Sequence, residues 1–231
     1  MKRTLSIVLT LAMLISLFTV FFVTEVSAAT VIKNSSPAIP ANVGQKINLA
    51  DYSVVFDGDT TATTGITWKQ NGTTVTSFTP SAKGVTTLVA SKGSKTKNIY
   101  VVAKNSSESE YVLYEANMAD FASVSALTSA GWTLPSSTDT PTSISGGALN
   151  IDGTRIQGTA YLPAWLGDFG DYSYSANVKL NSANEATRWF ALVYRSDNRA
   201  GTAKYFQMCI RDNTTAANGI EFSENTGSWN V

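Results

Sequence analysis

Apolar residues in this chain come in short runs separated by turn residues, and a helical period is almost absent. Between 29 and 104, segments at 43–44 and 48–52 lead into a run at 53–56, and further runs lie at 66–69, 73–78, 85–90 and 97–103. Asp57-Gly58-Asp59, Asn71-Gly72 and Gly93 punctuate them, and Asn-Gly between two alternating runs is a strong hairpin signal. About seven strands in roughly 75 residues is the pattern of a small β-sandwich. The stretch 105–110, Asn-Ser-Ser-Glu-Ser-Glu, holds no apolar residue and reads as a linker.

The pattern resumes at 111. Strands are expected at 111–115, 148–151, 155–162, 172–180, 186–196, 205–211 and 220–223. Phe121, Val124 and Leu127 at helix-like spacing predict one short helix or turn-rich loop within 120–130. The cleanest alternation is Tyr172-x-Tyr174-x-Ala176-x-Val178-x-Leu180, with Ser173, Ser175, Asn177 and Lys179 on the opposite face. That reads as a strand with one wet side. In 205–211 the set Phe206, Met208, Ile210 is uniformly apolar and is expected to face a core. Long antiparallel strands joined by Gly and Asn turns suggest a jelly roll.

Two resemblances follow from these residues. Trp68 in a middle strand, Phe78-x-Pro80-x3-Gly84, and the closing run Asn98-Ile99-Tyr100-Val101-Val102-Ala103 resemble the bacterial immunoglobulin-like modules of secreted proteins. Such modules are mostly spacers or adhesion units; without the antibody disulfide, Trp68 would pack against aliphatics. The order Tyr114-Glu115-Ala116-Asn117-Met118-Ala119-Asp120-Phe121, Gly131-Trp132, Gly146-Gly147-Ala148-Leu149 and Asp171-Tyr172-Ser173-Tyr174-Ser175-Ala176 is similar to concanavalin A-like lectin/glucanase (laminin-G-like) domains. That likeness implies a jelly roll, with no sugar specificity attached. The expected fold is therefore all-β: an immunoglobulin-like β-sandwich over 29–104, a linker at 105–110, and a concanavalin A-like jelly roll over 111–231. Such a jelly roll needs about a dozen strands. Residues 111–231 supply around seven, so the second module is expected to be truncated at its C-terminus, with a small complete sandwich as the alternative.

The first 28 residues carry a different signal. Lys2 and Arg3 precede an apolar run over 5–23, and Val26-Ser27-Ala28 places small residues at a signal-peptidase site. The run could span a bilayer as an uncleaved anchor, but the small-residue exit favours cleavage of 1–28. With no Cys near the cut, lipid anchoring is not expected. The protein is expected to be secreted or displayed at the cell surface, off the membrane once the signal is cleaved.

Composition narrows the chemistry. Cleavage removes Lys2, Arg3 and Glu25 and leaves 15 basic against 16 acidic residues, which offers no field for nucleic acid or anionic lipid. Cys209 is alone, so no intrachain disulfide forms. No histidine is present, which excludes Ser-His-Asp and Cys-His catalysis and His-ligated zinc. Carboxylate chemistry, calcium on oxygen ligands, or no chemistry remain. Retaining glycosidases hold two carboxyl groups about 5 to 5.5 Å apart. The nearest text, Glu221-Phe222-Ser223-Glu224, lacks the central Asp of the resembled glucanases. Residues three apart on a strand also face opposite ways, so no catalytic residue is assigned. Asp57 with Asp59, and Asp168 with Asp171, could offer oxygens to Ca2+, but turn capping explains short acidic loops more simply; no cofactor is assigned.

Aromatic and hydrogen-bonding side chains are the remaining candidates, because sugars stack C–H faces on flat rings and meet polar groups at their edges. Tyr205, Gln207 and Arg211 share the mixed face of their strand, with Trp189 and Arg195 beside it; these five are the candidate glycan-binding residues. The functional expectation is a secreted, non-catalytic carbohydrate-binding accessory region of a multimodular protein. Two alternatives stay open: the front end of a secreted glycoside hydrolase or glycerophosphodiester phosphodiesterase whose catalytic domain lies beyond 231, and a cell-surface adhesion module.

Overall fold

A computed structural model of the chain describes residues 29–58, 60–153, 155, 157–170, 172–181, 189–199, 204–211, 220–226 and 229–230, with Arg211, Trp229 and Asn230 described through their backbones alone. The expected signal peptide, 1–28, lies outside the described residues, as do Asp59 and Asp171. The chain is all-β, with a single short α-helix among the described residues. It divides into two compact units: described residues through Asn34 with Ala38–Ser107, and Ser35–Pro37 with Glu108 onward. The division after Ser107 falls inside the polar stretch 105–110.

The first unit holds β1 (Thr30–Ile32), β2 (Ala38–Asn42), β3 (Ile47–Asn48), β4 (Tyr52–Phe56), β5 (Thr60–Ala62), β6 (Thr67–Gln70), β7 (Thr73–Val75), β8 (Ser77–Phe78), β9 (Gly84–Lys92) and β10 (Lys95–Lys104). One sheet runs β1-β4-β5, a second β2-β10-β9-β6-β7, and β3 pairs with β8. The β6–β7 hairpin turns on Asn71 and Gly72, both at positive φ (48° and 82°), the geometry that Asn-Gly favours. Val54, Phe56 and Ala62 from one sheet meet Ile39, Trp68, Leu88, Ala90, Ile99 and Val101 from the other in one buried cluster. Alternate positions of each strand supply that cluster, so the period of two in the sequence becomes the sandwich core. At the rim, the Lys97 ammonium donates to Asn34 Oδ1 and to the Val55 carbonyl at 3.0 Å, tying β10 to the facing sheet.

The second unit has less regular structure. Its helix α1 (Val124–Ser129) is capped by Ser123, whose Oγ accepts from the Ala126 amide at 3.1 Å, and it buries Leu127 completely. β11 (Thr142–Ser145) and β12 (Ala148–Ile151) form a hairpin. A four-stranded antiparallel sheet follows, β13 (Trp189–Tyr194), β14 (Tyr205–Arg211), β15 (Ile220–Asn225) and β16 (Trp229–Asn230). Tyr114, Trp132, Trp165 and Phe169 make a chain of tilted and edge-on ring contacts with centroids 6.3–6.4 Å apart, and Trp132 Nε1 donates to Tyr114 Oη at 2.6 Å.

Three expectations are corrected here. Residues 111–115 form no strand, and 155–162 contribute only an isolated bridge, Thr133 with Tyr161. Residues 172–180 also form no strand, and 172–179 are exposed throughout. Alternation gives a segment two distinct faces, but a strand exists only where its amides and carbonyls find a ladder. The third correction concerns β14, whose faces are reversed. Gln207 and Cys209 are each 2% exposed, whereas Phe206, expected in a core, is 39% exposed. Ile220 and Phe222, on its side of the sheet, are 63% exposed.

Candidate functional site: a tyrosine cleft beside Arg195

The ladder of the four-stranded sheet fixes which predicted residues meet. Trp189 pairs with Arg211, Val193 with Gln207, and Gln207 with Ser223. Trp189 and Gln207 thus share one side of the sheet, as their spacing requires, and Arg211 takes the register position opposite Trp189. That side is the covered one. Gln207 Nε2 donates to Ser223 Oγ at 3.1 Å in the interior, and Oε1 is left without a partner. Gln207 is therefore withdrawn from any surface ligand. Tyr205, at the far end of β14, lies near Tyr161. Burial and the neighbouring Tyr205 raise the Tyr161 phenol above its ordinary value, while Arg199 pulls it down. The Arg199 guanidinium lies 5.8 Å from the Tyr161 ring centroid, and it also donates to Thr133 Oγ1 and to the Leu162 carbonyl. With both terminal nitrogens of that group bonded to the chain, this cluster reads as a brace between loops.

Arg195 goes elsewhere. It follows the last residue of β13 at φ +52°, in the left-handed region. Alternation would place it on the Gln207 side, but the left-handed φ interrupts that alternation at the end of the strand. There Gly170, Tyr172, Tyr174, Tyr194 and Arg195 line an open cleft of about 390 Å3. Tyr172 and Tyr174 are two residues apart on an extended segment, so their rings share a side, with centroids 6.2 Å apart and planes at 49°. Tyr174 Oη donates to the Val193 carbonyl at 3.4 Å, which holds this segment against the end of β13. Tyr194 stacks on Phe206 from the adjacent strand, centroids 5.9 Å apart and planes within 20°. Phe169, buried and packed on Trp165, precedes Gly170 in the chain.

The electrostatics are simple. Burial, then Tyr172 and Tyr194, push the Tyr174 phenol up to about 12, so it stays a neutral hydroxyl. No carboxylate lines the cleft among the described residues, and Arg195 makes no ion pair or hydrogen bond. Of the five residues expected at a glycan site, the structure brings only Arg195 to this cleft. Its ring partners were legible as a Tyr-x-Tyr repeat and as the Tyr194-Arg195 dipeptide. The first has the alternation of a strand face, and strict alternation puts the two residues of the second on opposite sides of a strand.

The remaining candidates are quickly placed. Glu221 pairs with Cys209 and Glu224 with Phe206, so the two carboxylates leave opposite sides of β15. Asp57 sits in the turn after β4, where its carbonyl accepts from Lys95 Nζ at 3.0 Å. Among the described residues no three acidic, Cys or His side chains gather as metal ligands. No helix among them is long and apolar enough to cross a membrane. No family model, curated protein or solved structure matches the chain.

Proposed function

We propose that this chain is an exported, non-catalytic glycan-binding region, built from an immunoglobulin-like module and a concanavalin A-like module, that serves as an accessory to a larger extracellular protein. The observation that carries the reading is the open cleft formed by Tyr172, Tyr174 and Tyr194 beside Arg195. Flat rings accept the C–H faces of a pyranose, and phenol hydroxyls with a guanidinium meet its edge oxygens. Aromatic walls with a few convergent polar groups are what a small polar ligand requires. The separation of Glu221 from Glu224 supports a binding role over hydrolysis by that pair.

Affinity electrophoresis of the mature chain in gels containing soluble polysaccharides tests this. Retardation by at least one polysaccharide is expected, and Tyr194→Ala should weaken it about fivefold, the worth of one ring contact of roughly 1 kcal/mol. Retardation that survives Tyr194→Ala and Tyr174→Ala unchanged would move the site elsewhere, and none at all would remove the binding role.

A further inference from the structure

We infer that the tyrosine cleft selects acidic sugars, with Arg195 pairing a sugar carboxylate while the tyrosine rings carry the pyranose; this rests on the glycan-binding reading and names the class of glycan. Three independent features point to it. The first is that Arg195 stands in the cleft without an ion pair or hydrogen bond. Carboxylates are plentiful nearby, since residues 108–231 hold 13 acidic against seven basic residues. Two other arginines of the same unit have partners, Arg155 with Asp139 at 3.4 Å and Arg199 with Thr133 and the Leu162 carbonyl. An arginine left unpaired inside a concavity is available for an acid that arrives with a ligand.

The second feature is backbone geometry. Arg195 is one of two non-glycine residues at positive φ among the described residues, and the other, Asn71, occupies the turn that Asn-Gly favours. Arginine gains nothing from the left-handed region, and such outliers gather at binding sites where a side chain must be aimed. Here the residue so held is the one cation lining the cleft among the described residues. The third feature is the lining. The described residues that line the cleft with Arg195 are three tyrosines and one glycine, flat rings for a pyranose beside a cation. Tyr174 remains a neutral phenol, so it adds no negative charge to the cleft. A planar guanidinium takes a carboxylate through two parallel N–H···O bonds, a geometry that hydroxyls of a neutral sugar do not reproduce.

The acidic surplus of this unit opposes any anion at long range, so recognition must come from contact rather than from field. That separates it from adsorption through the first unit, where residues 29–107 carry eight lysines against three aspartates. Adsorption of that kind falls steeply with salt and ignores a change at Arg195.

The test is affinity electrophoresis of the full mature chain at 0.15 M salt. Polygalacturonate, alginate and hyaluronate are the acidic probes, and xylan, galactan and laminarin the neutral ones. Retardation by an acidic probe is expected, with a roughly tenfold loss in Arg195→Gln and a smaller loss in Arg195→Lys, which keeps the charge without the fork. Retardation by neutral probes alone, or acidic-probe binding that Arg195→Gln leaves intact, overturns the acidic selectivity and leaves the glycan-binding reading standing. No retardation by any of the six overturns both. Arg195 is exposed, so both variants are expected to fold.

Discussion

Arg195 holds a backbone conformation that costs an ordinary residue about 1–2 kcal/mol relative to the right-handed region. Glycine would relieve that cost but gives back part of it through its freer unfolded chain. Arg195→Gly is therefore expected to stabilise the chain by roughly 0.5–1 kcal/mol in urea unfolding while abolishing retention on acidic polysaccharide. A destabilised Arg195→Gly would show that the side chain contributes to packing that outweighs the relief. Tyr174 makes a pH prediction. Its folded-state pKa stands above the ordinary value of 10.0, pushed to about 12 by burial, Tyr172 and Tyr194. Below pH 10 the phenol is neutral both folded and unfolded, and it adds no slope. Between about 10 and 12 the unfolded chain releases the proton and the folded chain keeps it, so stability falls as pH rises through that window. Urea midpoints measured from pH 8 to 11 should show a fall above 10 that is shallower in Tyr174→Phe. An equal slope in both would place the titrating group elsewhere. At this scale the sequence was a partial guide. It offered Arg195 as a candidate among five residues, yet the left-handed φ there follows from no local preference of arginine.

At the level of elements, the two units read differently from their text. In the first, β4, β6, β9 and β10 emerge where alternating apolar runs lie between Gly and Asn turns, because both sides of each strand have fixed neighbours. In the second, alternation alone misled. The segment 172–180 has the clearest period of two in the chain, but it is held by the Tyr174 hydroxyl rather than by a ladder. β14 carries an apolar set and a mixed set, and hydrophobicity alone would bury Phe206, Met208 and Ile210. The fold instead covers Gln207 and Cys209, because sidedness is settled by which loops lie over the sheet. Elsewhere in this unit the chain packs closely at Gly158, where an added Cβ would collide with the Thr140 methyl and press on Ile151 and Pro135. Gly158→Ala is expected to cost about 1–3 kcal/mol, whereas Gly167→Ala, with open space around it, should be nearly silent. Thermal unfolding of the two variants side by side measures this; equal melting temperatures would mean the loop gives way freely at 158.

Across the whole molecule, the all-β class, the polar break at 105–110 and the exclusion of histidine chemistry follow from the sequence itself. They are properties of composition and period, and no tertiary contact can change them. The core of the first unit was also legible: Trp68 falls among Val54, Phe56, Leu88 and Ile99 as a middle-strand aromatic should. The tyrosine cleft was not. Tyr172 and Tyr174 lie twenty residues before Tyr194 and Arg195, and nothing local in either segment marks it for the other. Their meeting depends on where the extended segment crosses the end of β13, on Phe206 from a third segment stacking beneath Tyr194, and on the left-handed φ at Arg195. What the sequence determined by itself was the alphabet of this protein: strands, turns, polar surfaces and rings without imidazoles. The tertiary structure decided which side of the sheet is covered and which rings gather around the unpaired arginine, because both are sums of long-range packing that no single segment contains.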